Sequence, residues 1–364
     1  MKTVVNIARV LVGILFIFSG LVKAIDPLGL AYKMQEFFEA WANAGIMPGV
    51  MNSLNGQALM FSVLMITLEV VAGVALLLGW KKNIISWLLL LLMLFFTFLT
   101  SYVLFSGKIR ACGCFGDCIP LTPIQTFTKD IVLLVLVLLI LFGRKYINPL
   151  FSNTINAVLF FISLLAVLSL QWYVLKHLPV KDCLPFKIGN NILELRKMPK
   201  DAVPDKFDYK FVYKKNGETK EFITSALPDS TWEFVDRKQV LIEKGKNNIP
   251  LINDFVLKTE SENDTTAAIL NQAGEYYLLL AKDFNEEDKW YDDFKLFYTK
   301  NKGVLPVFLI TSDPVSAKKI FAIPDLIMLS CDGTAIKTAA RVNPTLFLMK
   351  GPVVKNKKAF IDFR

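Results

Sequence analysis

The sequence predicts a multi-domain chain: an α-helical transmembrane bundle of four helices plus a fifth, followed by a soluble α/β domain. Three observations carry that reading. Of 364 residues, 54% are hydrophobic and 29 are Phe, and the mean hydropathy is +0.45, which is more apolar than one soluble domain of ordinary composition. Five apolar runs, at 4–22, 58–79, 84–105, 124–142 and 154–175, each approach the ~20 residues that cross ~30 Å of hydrocarbon at ~1.5 Å per residue. Beyond residue 175 no such run recurs, and charges and turn signals such as "KNGE" separate strand-like and helix-like stretches.

The first run is longer than the ~7 to 15 apolar residues of a secretory signal, so it is expected to stay as a helix. Lys81 and Lys82 lie between runs two and three, and Arg144 and Lys145 between runs four and five, which assigns both loops to the cytoplasm. The segment 23–57, the loop 106–123 and everything after 175 then fall on the other face, which predicts a multi-pass protein of a bacterial inner membrane with a periplasmic C-terminal domain. Trp80, Trp87, Trp172 and Tyr173 sit near run ends, as interfacial aromatics do. The net charge of +9 follows from basic loops and a lysine-bearing tail, so no nucleic acid is needed to explain it. The bilayer and a periplasmic or membrane protein are the expected partners.

In the tail, "FDYKFVYKKNGETKEFIT" reads as a hairpin turning at Asn216 and Gly217. "EYYLLLAK", an amphipathic stretch carrying Trp290, Phe294, Phe297 and Tyr298, and "VLPVFLIT" form a strand, helix, strand unit that implies a parallel pair. The strands "DLIMLS" and "NPTLFLM" follow.

Chemistry concentrates in "RACGCFGDCIP" at 110–120, where three of the five cysteines fall within seven positions. A thiolate metal site would need a fourth ligand, which only Cys183 or His177 could bring, and no metal is expected. A structural disulfide would pair Cys114 or Cys112 with Cys118, since neighbours two apart close only a strained ring. A redox-active pair is the preferred reading: Gly113 and Gly116 permit a tight backbone, and Lys108 and Arg110 favour thiolate. Cys183 follows the fifth run by about eight residues and at ~3.3 Å per residue reaches the loop, as a resolving cysteine or as a free thiol. Cys331 reads as a small buried hydrophobe, and His177 as an interfacial residue with no nucleophile near it in sequence.

Glu69 falls near the middle of the second run, where a carboxylate needs a partner or a proton. Arg9 is the expected partner, through an ion pair that fixes helix one on helix two. Proton handling or quinone contact at Glu69 is the functional reading. Glycines 13, 20, 73 and 79 suit close helix approach.

"ARVLVGILFIFSGLVKAIDPLGLAYKMQEF", "LEVVAGVALLLGW" and "CGCFG" resemble the DoxX family of membrane proteins and its MauE-like branch, over residues 8–142. The resemblance implies redox and quinone-linked electron transfer. The tail's element order and "VNPTLFL" resemble the thioredoxin-like fold over 249–358, in which Pro344 would be the cis proline beside the active site. The place of that family's Cys-x-x-Cys reads "AKDFNEEDKW", without a thiol, so the resemblance implies a degenerate, binding or scaffolding domain.

The expected organisation is a membrane domain over 1–148, the fifth helix and linker over 149–188, a hairpin-bearing extension over 189–248 and the α/β domain over 249–364. The expected function is membrane-linked thiol/disulfide redox. Cys112 and Cys114 exchange electrons, Cys118 or Cys183 resolves, and a quinone or partner protein receives or supplies the electrons. The alternative is a non-catalytic subunit of a membrane complex with structural disulfides and an adaptor tail.

Overall fold

The computed structural model describes residues 1–109, 113, 115–243, 245–323 and 325–362. Cys112 and Cys114, with Arg110, lie outside the described residues. Five helices are long and apolar enough to cross a membrane: α1 (Lys2–Ala24), α4 (Ala58–Leu78), α5 (Lys82–Ser106), α6 (Pro123–Gly143) and α7 (Asn153–Lys176). Between α1 and α4 the chain forms α2 (Pro27–Asn43) and α3 (Pro48–Gly56).

Local chemistry fixes the breaks between helices. Asp26 caps α2, its carboxylate accepting from Gly29 N at 3.1 Å, with Pro27 in the first turn. Thr122 and Gln125 form a reciprocal capping box at the start of α6. Gly79 ends α4 in the left-handed region at φ 66°. α1 packs along α4, where a Cβ on Gly73 would come within 2.8 Å of Gly13 O, so that backbone approach requires glycine. α5 and α6 pair, α6 also meets α1, and α7 lies outside against α4. Gln171 on α7 donates to Thr67 Oγ1 at 3.0 Å. The basic residues 81, 82, 144 and 145 gather at one end of this bundle, and the cysteine loop and the tail at the other.

The tail holds two sheets. The smaller is antiparallel, with β1 (Lys206–Lys215) between β2 (Glu218–Ile223) and β3 (Glu233–Glu243). Asn216 and Gly217, both at positive φ (51° and 87°), make the expected tight turn. β3 extends the expected hairpin to three strands.

The larger sheet comprises β4 (Glu275–Ala281), β5 (Val307–Thr311), β6 (Ile327–Ser330), β7 (Thr345–Lys350) and β8 (Val353–Ala359), in the order β6-β5-β4-β7-β8. β4, β5 and β6 run parallel, and β7 and β8 close the other side antiparallel. Alternation along β4 feeds two layers. Leu278 and Leu280 face α8 (Ile192–Leu195), α9 (Thr266–Leu270) and α12 (Gly333–Ala339), while Leu279 and Ala281 face α10 (Tyr291–Asn301) and α11 (Pro314–Ile320). The Asn343–Pro344 peptide preceding β7 is cis.

Phe186 and Ile192 lie in the core of this domain, and Ile192 N donates to Pro352 O at 2.9 Å. The chain thus joins the α/β core soon after α7, earlier than the expected linker and extension allow. Its apolar residues there are spaced without a helical or strand period, so the sequence carried no sign of this packing.

Candidate functional site at the membrane face

The loop between α5 and α6 and the segment leaving α7 meet at a disulfide, Cys118–Cys183, with Cα atoms 4.9 Å apart across a separation of 65 residues. The pairings expected inside the loop, Cys114 or Cys112 with Cys118, are therefore not made. The segment after α7 folds back into the α/β core beside the loop and brings Cys183 to Cys118 instead. Both half-cystines are partly buried. They line, with Val22, Lys23, Asp26 and Lys181, a cavity whose water-accessible volume is about 20 Å³, room for one water.

Each half-cystine follows an aspartate, and each aspartate meets a buried cation of the tail. Arg341 Nη2 lies 2.8 Å from Asp117 Oδ2 and its Nε 2.7 Å from Asp26 Oδ2. Lys357 Nζ lies 2.7 Å from Asp182 Oδ2. Burial works against the Arg341 charge, but the Asp26 and Asp117 carboxylates outweigh it and hold the guanidinium above its ordinary range. Burial pushes the Lys357 ammonium below its ordinary range, and Asp182 offsets this in part.

Beneath the loop, inside the bundle, Lys23 pairs with Glu69, both almost fully buried. Ser19 Oγ donates to Glu69 Oε2 at 3.1 Å. Lys129 lies 2.6 Å from Asp130, which also accepts from Thr100 Oγ1 at 3.0 Å. Both pairs line one cavity roofed by Phe115, again of about 20 Å³.

Arg9 does not reach Glu69. Its guanidinium caps the end of α4, with Nε 2.9 Å from Leu76 O, Nη1 3.2 Å from Asn148 O, and a further bond to Leu77 O. α1 continues past Lys23, so that lysine sits one turn above Gly20, the residue that touches Glu69 and Val70. Helical register therefore decides the pairing, with Lys23 nearer to Glu69 along the shared face than Arg9.

The remaining candidates stand apart from the disulfide. Cys331, after β6, is 7% exposed, and burial pushes its thiol up to about 12. His177 stacks on Tyr173 at 4.4 Å, with Nδ1 2.9 Å from Asp362. The turn after β4 carries Lys282 and Asp283, and Lys282 N donates to Asn343 Oδ1 at 2.8 Å, which ties it to the cis-proline loop.

Asp117, Asp182, Arg341 and Lys357 were missed in the sequence reading, and Lys23 and Asp26 entered it only within the motif that resembles the DoxX family. One signal could have found two of them: "DCIP" at 117–120 and "DCLP" at 182–185 are the same motif, and they supply the two halves of the disulfide.

Five apolar helices, a cysteine-bearing loop at their mouth and an α/β tail define a multi-pass membrane protein with a soluble domain. Residues 1–143 match the family described as Methylamine utilisation protein MauE, so the membrane half is MauE-like. Residues 207–244, which span the small sheet, match a domain of unknown function, DUF8463. The chain is similar to Protein TlpB of Flavobacterium psychrophilum, 31% identical over 141 residues, which is 37% of this chain and 35% of that protein's length. The match thus spans about a third of the curated relative. No solved structure matches.

Proposed function

We propose that the chain is a membrane-linked thiol–disulfide redox protein whose exchange centre is Cys118–Cys183, with Cys112 and Cys114 carrying oxidation along the same loop. The carrying observation is the disulfide itself. It is partly buried rather than sealed, and it lies at the bundle's mouth in a loop with two further cysteines. In one cycle a partner thiolate attacks one sulfur, breaks the S–S bond and releases the other sulfur as thiolate. The partner's second thiol then attacks the mixed disulfide. Two electrons and two protons pass to Cys118 and Cys183, and the partner leaves oxidised.

The electron partner proposed is a thiol protein of the membrane or periplasm, and the MauE match and the TlpB relative support a redox reading. A quinone, the group the family resemblance implies, does not fit the cavity beside Glu69. The cavity beside Glu69 holds about 20 Å³, room for a water and not for a ring, so no step is routed through one. The loop charges support a cytoplasmic placement for residues 81–82 and 144–145, and thus a periplasmic tail in an inner membrane. Sheet order and the cis proline support a thioredoxin-like tail, and with no thiol after β4 it serves as a binding domain.

A second reading has its own observation: the disulfide joins the loop to the segment that anchors the tail, as a structural staple in a non-catalytic subunit would. Mass-shift alkylation in native membranes separates the two. Under the redox reading Cys118 and Cys183 are found both oxidised and reduced, in a ratio that moves when cells are shifted between oxidising and reducing growth. A permanently oxidised pair establishes the staple.

A further inference from the structure

A cleft of about 620 Å³ lies between the ends of two spans and the tail, a volume in the range of small-molecule sites. From the membrane side it is lined by Leu59 in the first turn of α4, by Leu175 and Lys176 in the last turn of α7, and by Tyr32 of α2. The tail contributes Lys282 and Lys289 from the segment between β4 and α10, Asn343 of the cis-proline loop, and Phe360. Neither half-cystine lines it.

Its charge is one-sided. Among the described residues of the lining, Lys176, Lys282, Lys289 and Arg341 stand against one carboxylate, Glu286. Arg341 is taken by Asp26 and Asp117. Lys282 lies 3.0 Å from Asp283, and Lys289 pairs with Glu286, but these side chains are about a third to two thirds exposed, and ion pairs in water hold weakly. Lys176 meets no carboxylate among the described residues. Its ammonium lies 4.3 Å from the centre of the Trp172 ring, which is exposed on α7. Burial pushes the Tyr32 hydroxyl above its ordinary range, against the Lys282 and Arg341 charges, so the phenol stays a donor. No hydrogen bond to a described residue uses that donor.

We infer that the cleft takes an anionic phospholipid of the surrounding leaflet, its phosphate among Lys176, Lys282 and Lys289 and an acyl chain along Leu59 and Leu175. Position selects this ligand. Leu59 and Leu175 stand where α4 and α7 leave the hydrocarbon, and the exposed Trp172 and Tyr173 mark the interface at the same end of α7. The apolar wall of the cleft therefore continues the lipid-facing surface, and the lysines stand at headgroup height, where each cation attracts anionic lipid. A phosphate accepts from ammonium and phenol donors alike. A free anion would use the lysines and leave the apolar wall wet. The inference does not depend on the disulfide being an exchange centre.

The test uses the full chain in nanodiscs that carry a trace of phosphatidylglycerol with a diazirine on its acyl chain, or of the matching phosphatidylcholine. Crosslinks are mapped by peptide mass. Phosphatidylglycerol is expected to label the peptides that carry Leu59, Leu175 and Phe360 more strongly than phosphatidylcholine. Lys176→Gln is expected to lower that labelling about fivefold, the share of one cation at a membrane surface. Should Lys176→Gln fail to assemble, Lys289→Gln gives the same contrast. Lys300→Gln, exposed on α10 and outside the cleft, is expected to leave the labelling unchanged. The inference is overturned by equal labelling from the two lipids, or by no labelling at the cleft, as for a cleft that takes a peptide. An equal loss in Lys300→Gln also overturns it, because it marks general attraction to a basic tail. So does loss of labelling on adding millimolar glycerol phosphate, since the ligand is then a soluble phosphate.

Discussion

Lys23 at the end of α1 holds the carboxylate of Glu69 in the middle of α4, and both are buried within the bundle. Glu69 lies ~17 Å below the start of its helix at ~1.5 Å per residue, too deep for water to carry its charge, so a lysine reaching down from the membrane face does so. Lys23 also lines the cavity under the disulfide. One side chain therefore joins the polar interior of the bundle to the disulfide above it.

Breaking that pair one partner at a time leaves a charge buried in a low dielectric. Lys23→Met and Glu69→Gln are each expected to cost about 3 kcal/mol, and the double variant less than either. Thermal unfolding of the detergent-solubilised protein checks this. A double variant as damaged as the sum of the singles would remove the pair as a structural unit.

Arg9 serves a different junction. It satisfies carbonyls at the C-terminus of α4 and in the turn to α7. Arg9→Met is expected to cost about 1–3 kcal/mol by leaving them unpaired. It should leave the Lys23–Glu69 coupling intact, measured by the same double-variant comparison in the Arg9→Met background.

The spans, the change of architecture after residue 175 and the β4–α10–β5 parallel unit were legible because each rests on a local signal: run length, periodicity or turn chemistry. The β1–β2 turn was legible for the same reason, through Asn216 and Gly217. The ion pairs were not, because pairing depends on the register between helices: Arg9 and Lys23 lie 14 residues apart on one helix, and only packing at Gly13, Gly20 and Gly73 decides which faces Glu69. The rim at the disulfide was least visible. Arg341 lies 315 residues from Asp26, and no pattern in a single sequence joins them. The repeated Asp-Cys-x-Pro motif was the available clue.

Cys331 gives a pH signature. Its thiol is pushed up to about 12 from 9.0 by burial, so between those values the unfolded chain has lost the proton that the folded chain keeps. The folded state then binds more protons, and stability falls as pH rises through that window, by about 1.4 kcal/mol per unit. Cys331→Ala should flatten this slope between pH 9 and 11 in urea unfolding. The same burial predicts that Cys331 resists iodoacetamide at pH 8 until the chain is denatured.

Beside the disulfide, the two members of the Asp182–Lys357 pair are not equivalent. Lys357 is the more deeply buried, with a side chain 3% exposed against 22% for Asp182. Lys357→Met removes a buried charge and keeps the stem's packing, so its cost is expected to be small, within about 1 kcal/mol. Asp182→Asn leaves the ammonium buried without a counter-charge and is expected to cost about 3 kcal/mol. Burial already lowers the Lys357 titration, and loss of Asp182 lowers it further. In the Asp182→Asn variant the folded state sheds that proton at a pH where the unfolded chain still holds it, so stability rises with pH below the lysine's ordinary 10.5. Unfolding of Asp182→Asn followed from pH 7 to 10 should show stability recovering with pH, more steeply than in the unaltered chain. Lys357→Met combined with Asp182→Asn should abolish the slope. A flat profile in Asp182→Asn would mean that the ammonium finds another counter-charge, with Asp26, the other carboxylate whose charge acts on Lys357, able to supply it.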